Sequence, residues 1–478
     1  MSKNEVKIEG RSSNEHTHRD GTSGRDVYAA RVSYSRTARR SARSVNPAGA
    51  RRTPTTPAPT TAASSRTRGG WRKRLSTPSL LKMIERPQVN KYRKHFLFLD
   101  LPEESDYLYA GLFFQFGSIN EGDEDFGLTH LLEHYLISKL KTREDYFIDG
   151  EVDLASVSFY TKIKVSETNK VKLFFDFFTN PDFTDHNLLE AEKKALRSEV
   201  TVKTENTDNR IFYYTIGERL HHQRVVRSPL AQTKYLEKYT LDDLKRRYLD
   251  LKKNFMVATM ASQLPIDNQL KKYVEDGCAK SFILSSKELP PIEYSKKLTE
   301  QFELLGVPIG FTKVLITFPA YTLLDDSGNR GTLRFISQQI RKRFANDLRP
   351  MGIYHINSER VTTMVYGMCK FSFMIPNKIL NEAIKQIDKL LYKKLSDEEL
   401  AYIKDFNNDN EKAIRNDWKS NDGRLEWYKV DVSNFGDVID PEVVIKAKVT
   451  EESVNKVYLE IFQKESENLL LFSSKNKG

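Results

Sequence analysis

The chain has 478 residues, room for two or three domains with substantial cores. Its net charge of +11 sits at one end, because residues 1–82 hold 14 Arg and 4 Lys against 5 acids, leaving 58 basic and 60 acidic residues beyond. A near-neutral body argues against nucleic-acid binding by the folded part, and the lack of any apolar run near ~18–20 residues argues against a bilayer span. Cys278 and Cys369 are the only cysteines, distant and outside any C-x-x-C, so neither a disulfide framework nor a thiolate zinc site follows. With no apolar secretory core at the N-terminus, the expected location is cytoplasmic.

Residues 1–82, with stretches such as R-T-P-T-T-P-A-P-T-T-A-A-S-S, cannot bury enough apolar surface to offset ordering entropy. They read as a disordered basic tail or an upstream extension. Beyond Met83, a candidate natural start, the basic residues change to 40 Lys against 18 Arg. A transit segment shares the Arg-rich composition and would place the protein in an organelle matrix, although all five acids fall within the first 26 residues. A nucleic-acid-binding arm is a further reading of the tail.

From His95, H-F-L-F-L-D-L and then Y-L-Y-A-G-L-F-F-Q-F-G-S predict two strands. A helix follows Gly127, with Leu128, Leu131, Leu132, Tyr135 and Leu136 at helical spacing. G-E-V-D-L-A-S-V-S-F-Y-T-K-I-K-V, from Gly150, alternates like one exposed strand, and Val171–Phe178 reads as helix ended by N-P-D-F. Thr184 or Asp185 caps a helix to about Val202. Helical patterns over Arg210–His222 and Leu241–Leu251 precede the strand F-M-V-A-T-M-A. Residues 286–300 belong to a polar, Pro-containing linker. Beyond it come a strand (Lys313–Pro319), a helix (Leu333–Leu348), strands (Tyr354–Ile356, Met364–Ile375) and helices (Ile379–Leu391, Asp397–Asp417, Glu451–Lys464). The similar element order of the halves suggests an internal duplication, with domains at 83–285 and 301–478.

The helix after Gly127 carries His130, Glu133 and His134 as H-x-x-E-H, the inverted zincin pattern. Residues i and i+4 leave one face of a helix, and two neutral imidazoles there suit a tetrahedral zinc ion that keeps a position for water. Glu133 projects beside them, placed to take a proton from that water. In the helix after Asp185, Leu189, Glu192, Leu196 and Glu199 form one stripe. Carboxylates on an apolar stripe are costly unless paired, bound to a cation or wet at its edge. Either glutamate could complete a zinc site. The second half has no H-x-x-E-H, and its single histidine, His355, reads as structural.

The stretch Q-F-G-S-I-N-E-G-D-E-D-F-G-L-T-H-L-L-E-H resembles the opening of the pitrilysin family, the inverzincins that include mitochondrial processing peptidase and insulin-degrading enzyme; Gly117, Ser118, Glu121, Gly127 and Leu128 all agree. The resemblance spans about residues 90–475. It implies an α+β fold of two related domains, each an antiparallel sheet packed with helices. It implies a zinc endopeptidase with one Zn²⁺ on His130, His134 and Glu199, Glu133 as general base, and Glu192 as partner of a ligand. T-N-P-D-F and Y-T-L-D-D-L (from Tyr239) also match. L-R-P-M-G-I-Y resembles the family's substrate-contacting Arg and Tyr, here Arg349 and Tyr354. Ala155 stands in the family's Asn-Ala pair on the edge strand, which reads Leu154-Ala155 here. The His134-to-Glu199 separation of 65 residues is shorter than usual, as is the Arg349–Tyr354 spacing. Peptide substrates would bind extended along an edge strand, and such units pair as homodimers or heterodimers. A non-catalytic subunit, or a maturation enzyme for one dedicated peptide such as a bacteriocin precursor, is the alternative.

Overall fold

The computed structural model describes residues 94–474 apart from 123, 142–146, 206–210, 212–232, 286–298, 305 and 365. The expected tail (1–82), nearly all of the linker (286–300) and all of the helix expected over Arg210–His222 except Ile211 lie outside the described residues.

The first half runs β1 (Phe96–Asp100), β2 (Tyr107–Phe114), α1 (Leu128–Lys141), β3 (Phe147–Val152), β4 (Val157–Lys164), α2 (Thr168–Thr179), α3 (His186–Glu205), α4 (Leu241–Lys252), β5 (Phe255–Ser262) and α5 (Asn268–Ser281). The second half runs β6 (Thr299–Leu304), β7 (Phe311–Ala320), α6 (Ser327–Leu348), β8 (Ile356–Thr362), β9 (Gly367–Pro376), α7 (Leu380–Leu391), α8 (Asp397–Ala401), α9 (Ile403–Lys419), α10 (Asn421–Phe435), α11 (Pro441–Lys446), α12 (Glu451–Ile461) and β10 (Asn468–Ser474). The strand orders β1-β5-β2-β4-β3 and β6-β10-β7-β9-β8 follow one plan. This is the expected α+β class, two five-stranded sheets packed with helices. Each sheet adds one parallel pair, β1 with β5 and β6 with β10, to its antiparallel ladder.

Alternation along the strands sends one face of each sheet to a helix-covered core. Leu108, Ala110, Leu112 and Phe114 of β2 join Val157, Phe159 and Ile163 of β4 against α1 to α5. In the second sheet, Val314, Ile316 and Phe318 join Phe371, Phe373 and Ile375 against α6, α7 and α12. The opposite faces are covered reciprocally. Phe113, Met256 and Val257 of the first sheet meet Val432 of α10, and Leu101 and Ala261 meet its Tyr428. Leu315, Leu470 and Phe472 of the second sheet meet Ile211 from the first half.

Several boundaries differ from the sequence expectation. The alternating run after Gly150 is a hairpin, because Asp153 N donates to Ser156 O (2.8 Å) and turns the chain. Its second arm, β4, lies between β2 and β3, so its alternation reflects a buried inner face. Tyr354 and His355 precede β8, which extends to Thr362, and a turn closed by Thr363 N to Tyr366 O (2.9 Å) leads into β9. Gly367 opens β9 because a Cβ there would lie 1.9 Å from Tyr321 O. The helix expected over Asp397–Asp417 is interrupted at Tyr402, where neither Gly nor Pro marks the break. Strand β6, helices α5, α10 and α11, and strand β10 were not anticipated. Among the described residues, no helix is long and apolar enough to cross a membrane.

Asp431 of α10 is fully buried beneath these contacts. Its Oδ2 accepts from Ile439 N (2.9 Å), whereas Oδ1 has no hydrogen-bond partner among the described residues. Burial pushes this carboxyl up to about 7, outweighing the Ile439 hydrogen bond and the Arg330 charge. Because the folded value lies above the unfolded one, the folded state keeps a proton that the unfolded chain has lost between about pH 4 and 7. Stability from this group is therefore highest at low pH, falls across that window and is flat above it. Asp431→Asn should remove a loss on the order of 2–4 kcal/mol between pH 4 and 8. Urea unfolding of both proteins at the two pH values measures it, and parallel pH responses would show that Asp431 titrates ordinarily.

Candidate metal centre

Helix α1 follows Gly127, whose φ of +89° suits glycine, and Glu121 caps it. The Glu121 Oε2 accepts from Gly127 N (2.9 Å) and its Oε1 from Thr129 N (2.7 Å), satisfying amides that the first turn leaves open. The preceding loop is clamped by α4 and the turn before it: Tyr239 Oη donates to Phe126 O (3.0 Å), and Arg247 Nη2 donates to Asp125 Oδ2 (3.0 Å). Leu128, Leu131, Leu132, Tyr135 and Leu136 are buried, which leaves His130, Glu133 and His134 turned toward α3 and β3.

Helix α3 is capped by Asp185, whose Oδ1 accepts from Leu188 N (2.9 Å). Tyr135 ties the two helices, stacking on Phe183 and accepting at its Oη from Asp185 N (3.3 Å). Leu189, Leu196 and Val200 bury one stripe of α3, and Glu192 and Glu199 of that side reach α1. The donor atoms of His130, His134 and Glu199 lie within 4.8 Å of one another. His134 Nε2 is 3.2 Å from Glu199 Oε2, and His130 Nε2 is 3.8 Å from Glu199 Oε1. Two ligands ~2.0–2.1 Å from a tetrahedral zinc stand roughly 3.3 Å apart, so two imidazole nitrogens and a carboxylate at these separations fit zinc.

Glu192 Oε2 lies 3.2 Å from His134 Nδ1, an arrangement that keeps the proton on Nδ1 and turns Nε2 toward Glu199. Burial works against a charge on His134, yet Glu192 and Glu199 raise its pKa to about 10. Burial alone would also raise Glu199, but its His134 hydrogen bond, with His130 and Lys203 nearby, holds it well below the usual carboxylate range. Three carboxylates around two imidazoles make a site that favours positive charge. Glu192→Ala should weaken zinc affinity about 10–100-fold while leaving the three donors in place, as competition with a chromogenic chelator would measure.

Glu133 is buried, its Oε2 3.8 Å from His134 Nε2, and burial is the main cause that lifts its pKa to about 7. Above it lies Gly150 of β3, where a Cβ would fall 2.6 Å from Glu133 Oε1 and 2.8 Å from Ile137 Cδ1. Sequence reasoning singled out neither Gly150 nor Lys203, which pairs with Glu199 one turn along α3. The i,i+4 spacing of Lys203 was the available signal; Gly150 offered none. Ala155 is buried in the turn after β3 and not on the strand, and Ile119 N and Ser118 N take the Leu154 and Asp153 carbonyls. Arg349 lies in a short 3₁₀ turn after α6, and Tyr354 beyond it is 70% exposed. Neither makes a hydrogen bond or ion pair with the His130–Glu199 cluster.

Residues 102–233 match the family model described as insulinase (peptidase family M16). That stretch lies within the first half and includes His130, Glu133, His134, Glu192 and Glu199. No curated protein matches the sequence. Among solved structures, a protease from Helicobacter pylori is 12% identical, with 80% of this chain and 97% of that one covered and a TM-score of 0.62. An M16-like peptidase from Alicyclobacillus acidocaldarius is 14% identical, with 80% and 97% covered and a TM-score of 0.60. A peptidase M16 inactive domain from Pseudomonas fluorescens is 11% identical, with 80% and 95% covered and a TM-score of 0.62. At such identities the likeness shows the fold, which active and inactive M16 domains share. The donor set within residues 102–233 must distinguish them.

Proposed function

We propose that this protein is a zinc-dependent endopeptidase acting on peptides or small unfolded chains. The observation that carries this reading is the convergence of His130, His134 and Glu199 with Glu133 beside them and Glu192 behind His134. His130, His134 and Glu199 would hold the zinc ion, which would supply Lewis acidity to a substrate carbonyl and to water. Glu133 takes the proton of the attacking water and returns it to the leaving amine nitrogen. Glu192 fixes the tautomer and orientation of His134. β3, the last strand in the order of the first sheet, passes over Glu133 and offers an edge for an extended peptide. In this reading Arg349 and Tyr354 contact substrate after a second unit, identical or related, pairs with the first.

One observation favours a non-catalytic reading: the Lys203 ammonium sits on Glu199, giving that carboxylate a cation from the chain itself. Zinc content separates the two. The endopeptidase should purify with one zinc per chain and cleave a mixed peptide library. A chelator should abolish cleavage and added zinc restore it. A protein that takes up no stoichiometric zinc would leave the non-catalytic reading standing.

A further inference from the structure

Strand β3 presents different chemistry on its two faces. Its inner face brings Gly150 onto Glu133, and its outer face carries Asp149 and Glu151. Opposite Asp149 in the hairpin register stands Tyr160, whose hydroxyl donates to Asp149 Oδ2 (3.0 Å). The charge that balances these groups comes from the other half of the chain. Lys429 of α10 places its Nζ 2.5 Å from Glu151 Oε2, 3.2 Å from Tyr160 Oη and 4.5 Å from the centre of the Tyr160 ring. The Lys429 and Glu151 side chains are only 25% and 21% exposed, so this pair is shielded more than a surface ion pair. Burial opposes the charge on Lys429, but Glu151 and Tyr160 outweigh it and hold the ammonium above the ordinary lysine range.

The rest of α10 docks elsewhere on the first sheet. Tyr428 Oη donates to Asp100 O (2.8 Å) at the end of β1, and Val432 packs on Phe113 and Val257 of β2 and β5. Lys429 thus extends an anchored helix to the far side of the sheet. An outermost strand is held by one ladder, which makes it among the easier parts of a sheet to open. From these contacts we propose that Lys429 is a positioning residue: it ties the outer face of β3 to the second half and so fixes the strand over Glu133. The inference rests on the endopeptidase reading for its kinetic consequence, because a peptide added to β3 takes its register relative to Glu133 from that strand. Its structural claim stands apart from catalysis.

The test measures hydrogen exchange at residues 147–152 together with steady-state kinetics, using the full chain. Lys429→Met should exchange faster across β3, lower kcat about tenfold and leave KM within about twofold, since the strand hydrogen bonds persist while the reacting carbonyl is offset. Lys429→Arg should restore both, because a guanidinium can meet Glu151 and stack on Tyr160. Glu151→Gln removes the other end of the tie with α10 unaltered, guards against a misfolded lysine variant, and should give the same phenotype. Lys429→Met on top of it should then add little. Unchanged β3 exchange in Glu151→Gln overturns the tie; faster exchange with unaltered kcat overturns the positioning role. If the wild-type protein cleaves no peptide, the endopeptidase reading fails while exchange still decides the tie.

Discussion

Replacement of Glu133 by Gln should lower kcat by about 10²–10⁴-fold while the bound zinc stays at one per chain. Glu133 is not a member of the donor set; its carboxylate lies beside His134, buried under Gly150. Gln has the same shape and keeps the pocket filled, so the substitution removes the acceptor for a proton and little else. The comparison needs two readouts on the same preparation: metal content by elemental analysis, and turnover on a defined peptide found in the library products. Loss of turnover with zinc retained assigns Glu133 to the proton. Loss of both would mean that Glu133 holds the site together. Turnover unchanged would remove the endopeptidase reading altogether.

Gly150→Ala should produce the second largest effect, through geometry and without altering any polar group. The added methyl would fall 2.6 Å from Glu133 Oε1, 2.8 Å from Ile137 Cδ1 and 3.0 Å from Glu133 Cγ, all too close. These are side-chain atoms that can yield, so the protein should fold, at a cost of about 1–3 kcal/mol for the overpacking. The yielding moves Glu133, and a shift near 1 Å in a reacting group costs roughly 10²-fold in rate. Zinc binding should be nearly unaffected. Thermal unfolding, zinc titration and kcat on the three proteins (wild type, Glu133→Gln and Gly150→Ala) check this. A wild-type kcat in Gly150→Ala would show that β3 does not set the position of Glu133.

Much of the site was legible because it is local. His130, Glu133 and His134 need only the helix period to share a face, and Glu192 and Glu199 are two turns apart on another helix. The family resemblance then singled out Glu199 from the two open choices. What was hidden is non-local. Nothing in the sequence near Gly150 says that a carboxylate from α1 lies beneath it, since their contact is made by a strand crossing over a helix. The hairpin was hidden because alternation looks the same on a strand facing water and on one facing helices; Asp153 and Ser156, which close the turn, carry no glycine or proline. Helix α10 escaped notice because its apolar residues serve a sheet in the other half of the chain, as the Tyr428-to-Asp100 bond and the Val432–Val257 packing show. The Tyr354 expectation rested on a short motif with altered spacing, and the residue stands exposed ahead of β8.

The exchange of cover between the halves bears on how such a chain can be divided. Val432 and Tyr428 complete the first sheet, and Ile211 sits on the second. Cut at the middle, each piece would carry an apolar sheet face whose lid is on the other piece. Made separately, the pieces should aggregate; made together, they should assemble, as co-expression against single expression would measure.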